Sequence, residues 1–505
     1  MALYDKNDID LLSKNIDIIN ETIEKRHLEL YEPGKQEKQS VTNMILDFIK
    51  TNKRKIYGGY AISKLVGIKN PADMFYKDYQ TPDVDFYSPT PIDDLINLCN
   101  ALHEKGFKRV NAKEAGHKDT YSIFVNFQLY CDISYVPKNI YNRMPFKEIN
   151  GFNYIHPHFI TIDYLRMIVD PLASYWRIEK SIKRFSLLQK HYPLPLIDKP
   201  IKIIDSTPDI DKAVNLITKF LLNKKSCISI GFLAYNYFIN ESKITNKNIK
   251  SLNIPYHEII SINYKEDFED LMKVLKEEMP SSKFSYKEYY PFFQFTGYSV
   301  EIYLESDVIA VLYTDNKKCL PYIRVPAKEN KSDELIIGSF TLTLLYAQIM
   351  VMKYRTNNDE TMKSVYMTLV SHLMSARKYY FQKNNKTILD NTLYRDFIVD
   401  CMGYTIDPDR ERMLLYESRR NKGKKSYYMY VPEQRNDKDK EDKEDKKDKE
   451  NKEKEESKDT AYIFGNYSGN LIKNQKNSQL IEKPKKDIDE EIIEPELDED
   501  ENKEI

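Results

Sequence analysis

Residues 121–136, YSIFVNFQLYCDISYV, alternate apolar and polar side chains with a period of two, the pattern of a β-strand with one buried face. Ile123, Val125, Phe127, Leu129, Cys131 and Ile133 form the apolar face, and Ser122, Asn126, Gln128, Tyr130, Asp132 and Ser134 the polar one. That polar face carries one carboxylate, Asp132. Earlier in the chain, Pro82 opens a second short strand in which Asp83 and Asp85 flank Val84, with Phe86 following. Residues two apart on a strand share a face, so both carboxylates point one way while Val84 and Phe86 enter the core. A lone Asp-x-Asp is common on protein surfaces. A third acid on a neighbouring strand turns it into a set able to hold two divalent ions roughly 3.5–4 Å apart.

Upstream of these acids, Gly58-Gly59 follows the β-like Lys55-Ile56-Tyr57 and precedes a short helical run, Tyr60-Ala61-Ile62-Ser63-Lys64-Leu65. Two glycines let the backbone approach a triphosphate closely, and a helix start presents free N–H groups to it. Ser63 or Lys64 can add a side-chain contact. Downstream, Arg177, Lys180, Lys183 and Arg184 cluster on a helix that follows the strand carrying Asp132, either as phosphate contacts or as a solvated face.

The chain of 505 residues, 41% hydrophobic, is long enough for two or three cores. It contains no run of eighteen apolar residues and no apolar signal core at its start, which predicts neither a membrane span nor secretion. Five scattered cysteines without a CxxC pair argue against a disulfide framework or a structural zinc site, and for a reducing compartment. The net charge of −1 divides into −9 over residues 436–505 and +8 over the rest, and a mildly basic body suits a phosphate-bearing partner.

Residues 1–52 read as an N-terminal helical segment, with Ile9, Leu12, Ile16, Ile19 and Ile23 on one face of an amphipathic helix. Residues 53–195 form the domain carrying the acids, and 196–430 a second mixed region with C-terminal helices. Residues 431–505 are a charged tail too polar to bury a core, interrupted by the patch AYIFGNYSGNLI. The second region echoes the first. SIGFLAYNYF parallels IYGGYAISKL, with Gly231 opposite Gly58. Matching Glu269-Asp270-Leu271 to Asp93-Asp94-Leu95 sets Ile259 and Ser261 opposite Asp83 and Asp85, and GYSVEIYLES against LYCDISYV sets Glu301 opposite Asp132. A duplicate without the Asp-x-Asp should fold similarly and do no chemistry.

The order GGYAISKL, PDVDFYS, YCDISYV, DYLRMIVDPLASYWRIEKSIKRF resembles the polymerase-β-type nucleotidyltransferases. Within that superfamily it is similar to the catalytic subunits of viral poly(A) polymerases, of the poxvirus type and its relatives in giant amoebal viruses, over roughly residues 1–430. The resemblance implies an α+β fold with a catalytic lobe and an inert copy of it. It implies template-independent addition of AMP from ATP to the 3′ end of mRNA with two Mg²⁺ or Mn²⁺ ions. Catalysis and metal binding fall on Asp83, Asp85 and Asp132, and triphosphate binding on Gly58 and Gly59. It further implies a homodimer with no separate processivity subunit, in a viral protein of the host cytoplasm (the viral factory) that is also packaged in the virion. One departure is that many members carry Gly-Ser where this chain has Gly58-Gly59, so the serine's triphosphate contact must come from elsewhere. Two rival readings are transfer of a nucleotide to a protein or small molecule, and a noncatalytic RNA-binding scaffold. The second lobe and basic body count against the first, and the three intact acids against the second.

Overall fold

The computed structural model describes residues 3–434, except 32–33, 78–79, 117–118, 174, 203–205, 315–317, 328–332, 404 and 406. The expectations for the charged tail, the AYIFGNYSGNLI patch among them, lie outside the described residues. Two helices, α1 (Lys6–Tyr31) and α2 (Lys35–Thr51), lead into β1 (Lys55–Tyr57), α3 (Gly58–Lys69), β2 (Val84–Ser88), α4 (Pro91–Glu104), β3 (Asn111–Glu114), β4 (Thr120–Val125) and β5 (Gln128–Tyr135). The first lobe continues with α5 (Lys138–Arg143), β6 (Phe146–Ile149), β7 (Phe152–Ile155), α6 (Pro157–Val169) and α7 (Ile178–His191). The second runs α8 (Pro208–Leu221), β8 (Cys227–Ile230), α9 (Gly231–Ser242), β9 (His257–Ser261), α10 (Tyr264–Glu278), β10 (Phe284–Tyr289), β11 (Ser299–Leu304) and β12 (Asp307–Thr314). It ends with β13 (Leu320–Pro326), β14 (Glu334–Gly338), α11 (Phe340–Thr356) and α12 (Glu360–Asn384), before β15 (Cys401–Met402), α13 (Pro408–Asn421) and β16 (Met429–Tyr430).

Apart from α5, the series from α2 to α7 recurs as α8 to α12. The sheets agree too: β3-β4-β5-β2-β1-β7-β6 in the first lobe and β10-β11-β12-β9-β8-β14-β13 in the second. In both, the second strand runs parallel to the fifth and the first parallel to the seventh. An identical order with identical directions establishes the duplication read from the sequence.

The register corrects the details of that reading. Tyr57 pairs with Asp85, Asp85 with Asp132 and Asp132 with Ser122, a single row across β1, β2, β5 and β4. The same row in the second lobe is Ile230, Glu258, Val311 and Glu301. Glu258, rather than Ser261, therefore faces Gly231 as Asp85 faces Gly58, and Glu301 takes the place of Ser122. The first slip is one helical turn: the buried first-turn acid Asp94 of α4 corresponds to Asp267 of α10, and a shift of three residues preserves the apolar periodicity of a helix. The second exchanges adjacent strands, which share the same alternation.

Residues 121–136 are two strands and not one. Asn126 and Phe127 both adopt left-handed conformations (φ 49° and 67°) and close a two-residue hairpin between β4 and β5. Neither is glycine, and alternation runs through the turn unbroken, so the sequence gives no sign of it. Helix α1 forms where the amphipathic pattern places it, with Ile9, Leu12, Ile16 and Ile23 of its apolar stripe exposed. In α2, by contrast, Val41, Ile45 and Ile49 enter the first lobe's core.

The lobes meet through the equivalent helices α6 and α11, and Phe293 of the second lobe stands edge-on to Tyr87 of β2 at 5.6 Å. After α12 the chain returns. β15 pairs with β13 at the rim of the second sheet, and Thr405 donates to Asp170 at 2.6 Å. Arg419 on α13 then meets Glu114 at 2.9 Å, and β16 completes the first sheet beside β3. Cys319 and Cys401 are joined as a disulfide, contrary to the expectation drawn from the scatter of the cysteines; 82 residues of separation hide a contact that only the β13–β15 pairing creates. Among the described residues no helix is long and apolar enough to cross a membrane.

Candidate active site

Asp83 lies one residue ahead of β2, Asp85 within it, and Asp132 beside it on β5. One carboxylate oxygen from each comes within 4.8 Å of the others. Val84 and Phe86 are fully buried beneath them, so the strand cannot rotate its acids away without dragging core residues into water. The floor is fixed further by Tyr57, whose ring stacks on Tyr87 at 4.0 Å and whose hydroxyl meets Ser134 Oγ at 2.7 Å. Ser122 donates to Asp132 Oδ1 at 2.5 Å.

Burial, reinforced by the charges of Asp83 and Asp132, pushes the Asp85 carboxyl well above the ordinary range, against the pull of Arg184 and Arg177. Asp132 is raised chiefly by burial and also by Asp83, while the Ser122 hydrogen bond and Arg177 oppose. Asp85 and Asp132, desolvated and crowded by Asp83, lack full compensation from protein cations. All-oxygen donors in such a cluster suit hard divalent ions. The residues thus fit the metal that the fold implies.

The glycines set the other wall. Gly58 has φ +69°, and a Cβ there would stand 2.9 Å from Asp85 Cγ, so only glycine lets the start of α3 lie against this acid. At Gly59 an added Cβ would meet Arg184 Nη1 and the Tyr76 hydroxyl, each at 2.6 Å. Arg184 donates to Tyr76 at 3.0 Å and lies over the Phe75 ring at 4.6 Å. A guanidinium thus occupies the space into which a serine at position 59 would project. Lys64 is half-buried with its ammonium over the Tyr60 ring. Ser63 is buried, with almost no surface to offer a triphosphate.

The basic cluster divides. Arg184 covers Gly59, Lys180 acts on Asp83, and Arg177 acts on Asp85 and Asp132. Lys183, 61% exposed, points away and pairs with Glu179 at 3.0 Å and Asp17 at 3.7 Å. Sequence reasoning missed Tyr57, Tyr76 and Ser122. Ser122 was accessible in principle, since it shares the polar face of Asp132; Tyr76 sits in an irregular loop with no pattern to mark it.

The corresponding place in the second lobe is filled. Lys353 Nζ lies 3.3 Å from Glu301, and Tyr366 donates to Glu258 at 2.7 Å, around a cavity of about 50 Å³ also lined by Tyr256, Tyr313 and Tyr354. Burial pushes Glu258 up to about 7, with Tyr366 and Lys353 opposing. Burial also acts to raise Glu301, but Lys353, Tyr303 and Tyr289 outweigh it and hold this carboxyl below its ordinary value. Counting from the equivalent paired residues Tyr154 and Ile337, Lys353 falls at the position of Asp170. There α6 stops ahead of Pro171, whereas α11 runs one turn further and carries Lys353 and Tyr354 into the pocket. The helix break that leaves the first site open is missing in the second.

A mixed sheet bearing three clustered carboxylates, with a glycine-led helix against them and an inert repeat alongside, defines a two-lobed nucleotidyltransferase of the polymerase-β type. Residues 43–174 match the family profile described as poly(A) polymerase catalytic subunit, and residues 186–482 that of the C-terminal part of the same subunit of the mimivirus APMV. The chain is 36% identical to the poly(A) polymerase catalytic subunit of Acanthamoeba polyphaga mimivirus, over 86% of this chain and 79% of that protein. It is 28% identical to the subunit of African swine fever virus (strain Badajoz 1971 Vero-adapted), over 41% of this chain and 43% of that one. The crystal structure of the Megavirus polyadenylate synthase superposes with a TM-score of 0.79 at 35% identity, covering 86% of this chain and 87% of that one. The chain belongs to the viral poly(A) polymerase catalytic subunits, polynucleotide adenylyltransferases that use ATP, RNA and divalent metal.

Proposed function

We propose that Asp83, Asp85 and Asp132 are the catalytic and metal-binding residues with which this enzyme extends mRNA 3′ ends, using two Mg²⁺ or Mn²⁺ ions. The observation that carries the reading is the meeting of three carboxylates within 4.8 Å, with Asp85 and Asp132 desolvated by burial. Divalent ions held there would make the attacking hydroxyl more acidic and neutralise charge on the departing pyrophosphate. Asp132, raised by burial, takes the proton of the ribose 3′-hydroxyl. The freed oxygen bonds to the α-phosphorus of ATP as the bond to the bridging oxygen of the β-phosphate breaks, and pyrophosphate leaves. Gly58, Gly59 and the N–H groups of the first turn of α3 cradle the triphosphate. Arg184 supplies the contact that a serine supplies in related enzymes, and Lys64 adds charge at the rim.

The second lobe is a support in this reading, with residues 1–52, 53–195, 196–430 and 431–505 as the divisions of the chain and α2, α13 and β16 working with the catalytic lobe. The enzyme acts as a homodimer in the host cytoplasm, at the viral factory, and is carried in the virion.

Incubating the purified full-length chain with ATP, labelled oligo(A) and Mg²⁺ or Mn²⁺ tests the chemistry directly. Extension should require a divalent ion and vanish in Asp83→Ala/Asp85→Ala. Extension that persists in a metal chelator would overturn it. Sedimentation of the same sample checks the dimer.

A further inference from the structure

Between α6 and α7 the chain leaves two aromatic rings in solvent. Tyr175 and Trp176 are 70% and 62% exposed, and their rings meet edge to face at 5.2 Å. Burying an indole would contribute a large apolar area to a core, and this is the single tryptophan of the chain. Its setting is basic. Arg177 follows directly and caps the start of α7, on which Lys180 and Arg184 lie one and two turns further on.

Along α7 these three cations meet successive parts of the active site. Arg184 covers Gly59, Lys180 acts on Asp83, and Arg177 acts on Asp85 and Asp132. Arg184, at the middle of the helix, therefore stands at the glycine wall and Arg177, at its N-terminus, on the side of Asp132, while both act on Asp85. The exposed pair stands just beyond that N-terminus. A polyanionic strand passing over Arg177 would bring its bases level with the two rings.

We propose that Trp176, backed edge-on by Tyr175, is a stacking platform for a nucleobase at the 3′ end of the acceptor RNA, holding the strand so that its terminal hydroxyl faces Asp132. The proposal rests on the assignment of Asp132 to the acceptor side. Every base offers a π-face, so the platform would grip the strand without reading its sequence, as tail synthesis on unrelated transcripts requires. The charged face of α7 supplies the complementary attraction for phosphates.

Because Trp176 is the only tryptophan, its fluorescence in the full-length wild-type protein reports the contact directly. Titration with oligo(A) in the absence of ATP should quench it, while ATP alone should leave it nearly unchanged. Trp176→Ala should raise the KM for oligo(A) roughly tenfold, with kcat at saturating oligo(A) and the KM for ATP unaltered. Trp176→Phe should restore most of the loss, which a role in folding alone would not predict for so exposed a ring. Constant fluorescence at oligo(A) concentrations that support extension would overturn the proposal. So would an unchanged acceptor KM in Trp176→Ala, or an effect confined to the KM for ATP. Failure of the wild-type protein to extend oligo(A) at all would instead count against the active-site assignment.

Discussion

Gly231 stands against Glu258 as Gly58 stands against Asp85. A Cβ on Gly231 would lie 2.7 Å from Glu258 Cδ, and one on Gly58 would lie 2.9 Å from Asp85 Cγ; both glycines have positive φ and both open a helix. The second lobe has therefore kept the close approach of helix start and acid while losing the acids on either side of it. Tyr256 replaces Asp83 and Val311 replaces Asp132, as the register dictates. An ammonium on the longer α11 now sits at this pocket beside its two carboxylates.

Burial of Asp85 and Asp132 beside Asp83 comes at a cost to stability. Asp85 has a raised folded value, so its charged form is disfavoured by folding, and stability is lost as pH rises above the value of the unfolded chain. Asp85→Asn should raise the metal-free melting temperature at pH 8 by a few degrees, about 2–6 °C, while cutting AMP incorporation more than about a hundredfold. Calorimetry with and without Mg²⁺ checks this. A variant that melts below the wild type in a chelator would contradict it.

Glu258 carries a similar penalty without the catalytic return. Its folded value near 7 lies above its ordinary 4.5, so the folded state holds the extra proton between these values. Stability declines from pH 4.5 to 7 on this account and stays depressed above. Glu258→Gln should remove the penalty, a gain of at most about 3 kcal/mol at pH 8 that shrinks toward nothing below pH 4.5. Denaturant melts at pH 4.5 and 8 decide the point; an equal effect at both would refute it.

Glu301 behaves in the opposite sense. Its value is lowered in the folded state, so it stabilises above the value of the unfolded chain, and the contribution is lost as pH falls through the folded value. Glu301→Ala takes the carboxylate from the buried Lys353 and should destabilise by about 3 kcal/mol or more. The rate per folded molecule should fall less than tenfold, because no metal depends on Glu301. Losses as deep as those of Asp132→Ala in a folded variant would make the second lobe catalytic.

Arg184 reaches both the acids and Gly59, so its removal should be felt by ATP more than by RNA. Arg184→Ala should lower kcat/KM for ATP by about ten- to a hundredfold, the range expected for losing a charge-assisted phosphate contact. The double change Arg184→Ala with Gly59→Ser should recover part of it, since the guanidinium is then gone and only the Tyr76 hydroxyl has to shift to admit the serine. Initial rates across ATP concentrations provide the measurement. No change in the KM for ATP would place the phosphates elsewhere.

The sequence carries the local patterns faithfully and the pairings poorly. The strand around Asp132, the Asp-x-Asp at the start of a short strand and the glycine-led helix depend on neighbours in the chain and form where the pattern puts them. Phe127 and Leu129 of the expected apolar face are nevertheless exposed, and Ser122, Tyr130 and Ser134 of the polar face are buried. The repeat was legible as a repeat, but periodicities of two and of three to four residues tolerate slips, so Glu258 was passed over for Ser261 and Glu301 was set on the wrong strand. Tyr76, Arg184 and Lys353 join their sites only through tertiary packing. The basic cluster marks Arg184 as a candidate phosphate contact without showing that it covers Gly59, and nothing in the sequence around Tyr76 or Lys353 marks either. The hairpin at Asn126-Phe127 was hidden because its turn lacks the usual glycine.

Strand β16 has a consequence for how the enzyme is made. Arg419 and Glu114 are separated by 305 residues, and the last strand of the catalytic sheet follows Arg419 in the chain. A ribosome adding roughly 5–20 residues per second needs on the order of half a minute to travel from one partner to the other. Throughout that interval the nascent catalytic lobe presents the bare edge of β3, a template for unwanted pairing with a neighbouring chain. Translation of the second lobe thus has to finish before the first is sealed, and a transcript truncated anywhere ahead of residue 430 yields an unclosed active lobe, not a smaller working enzyme.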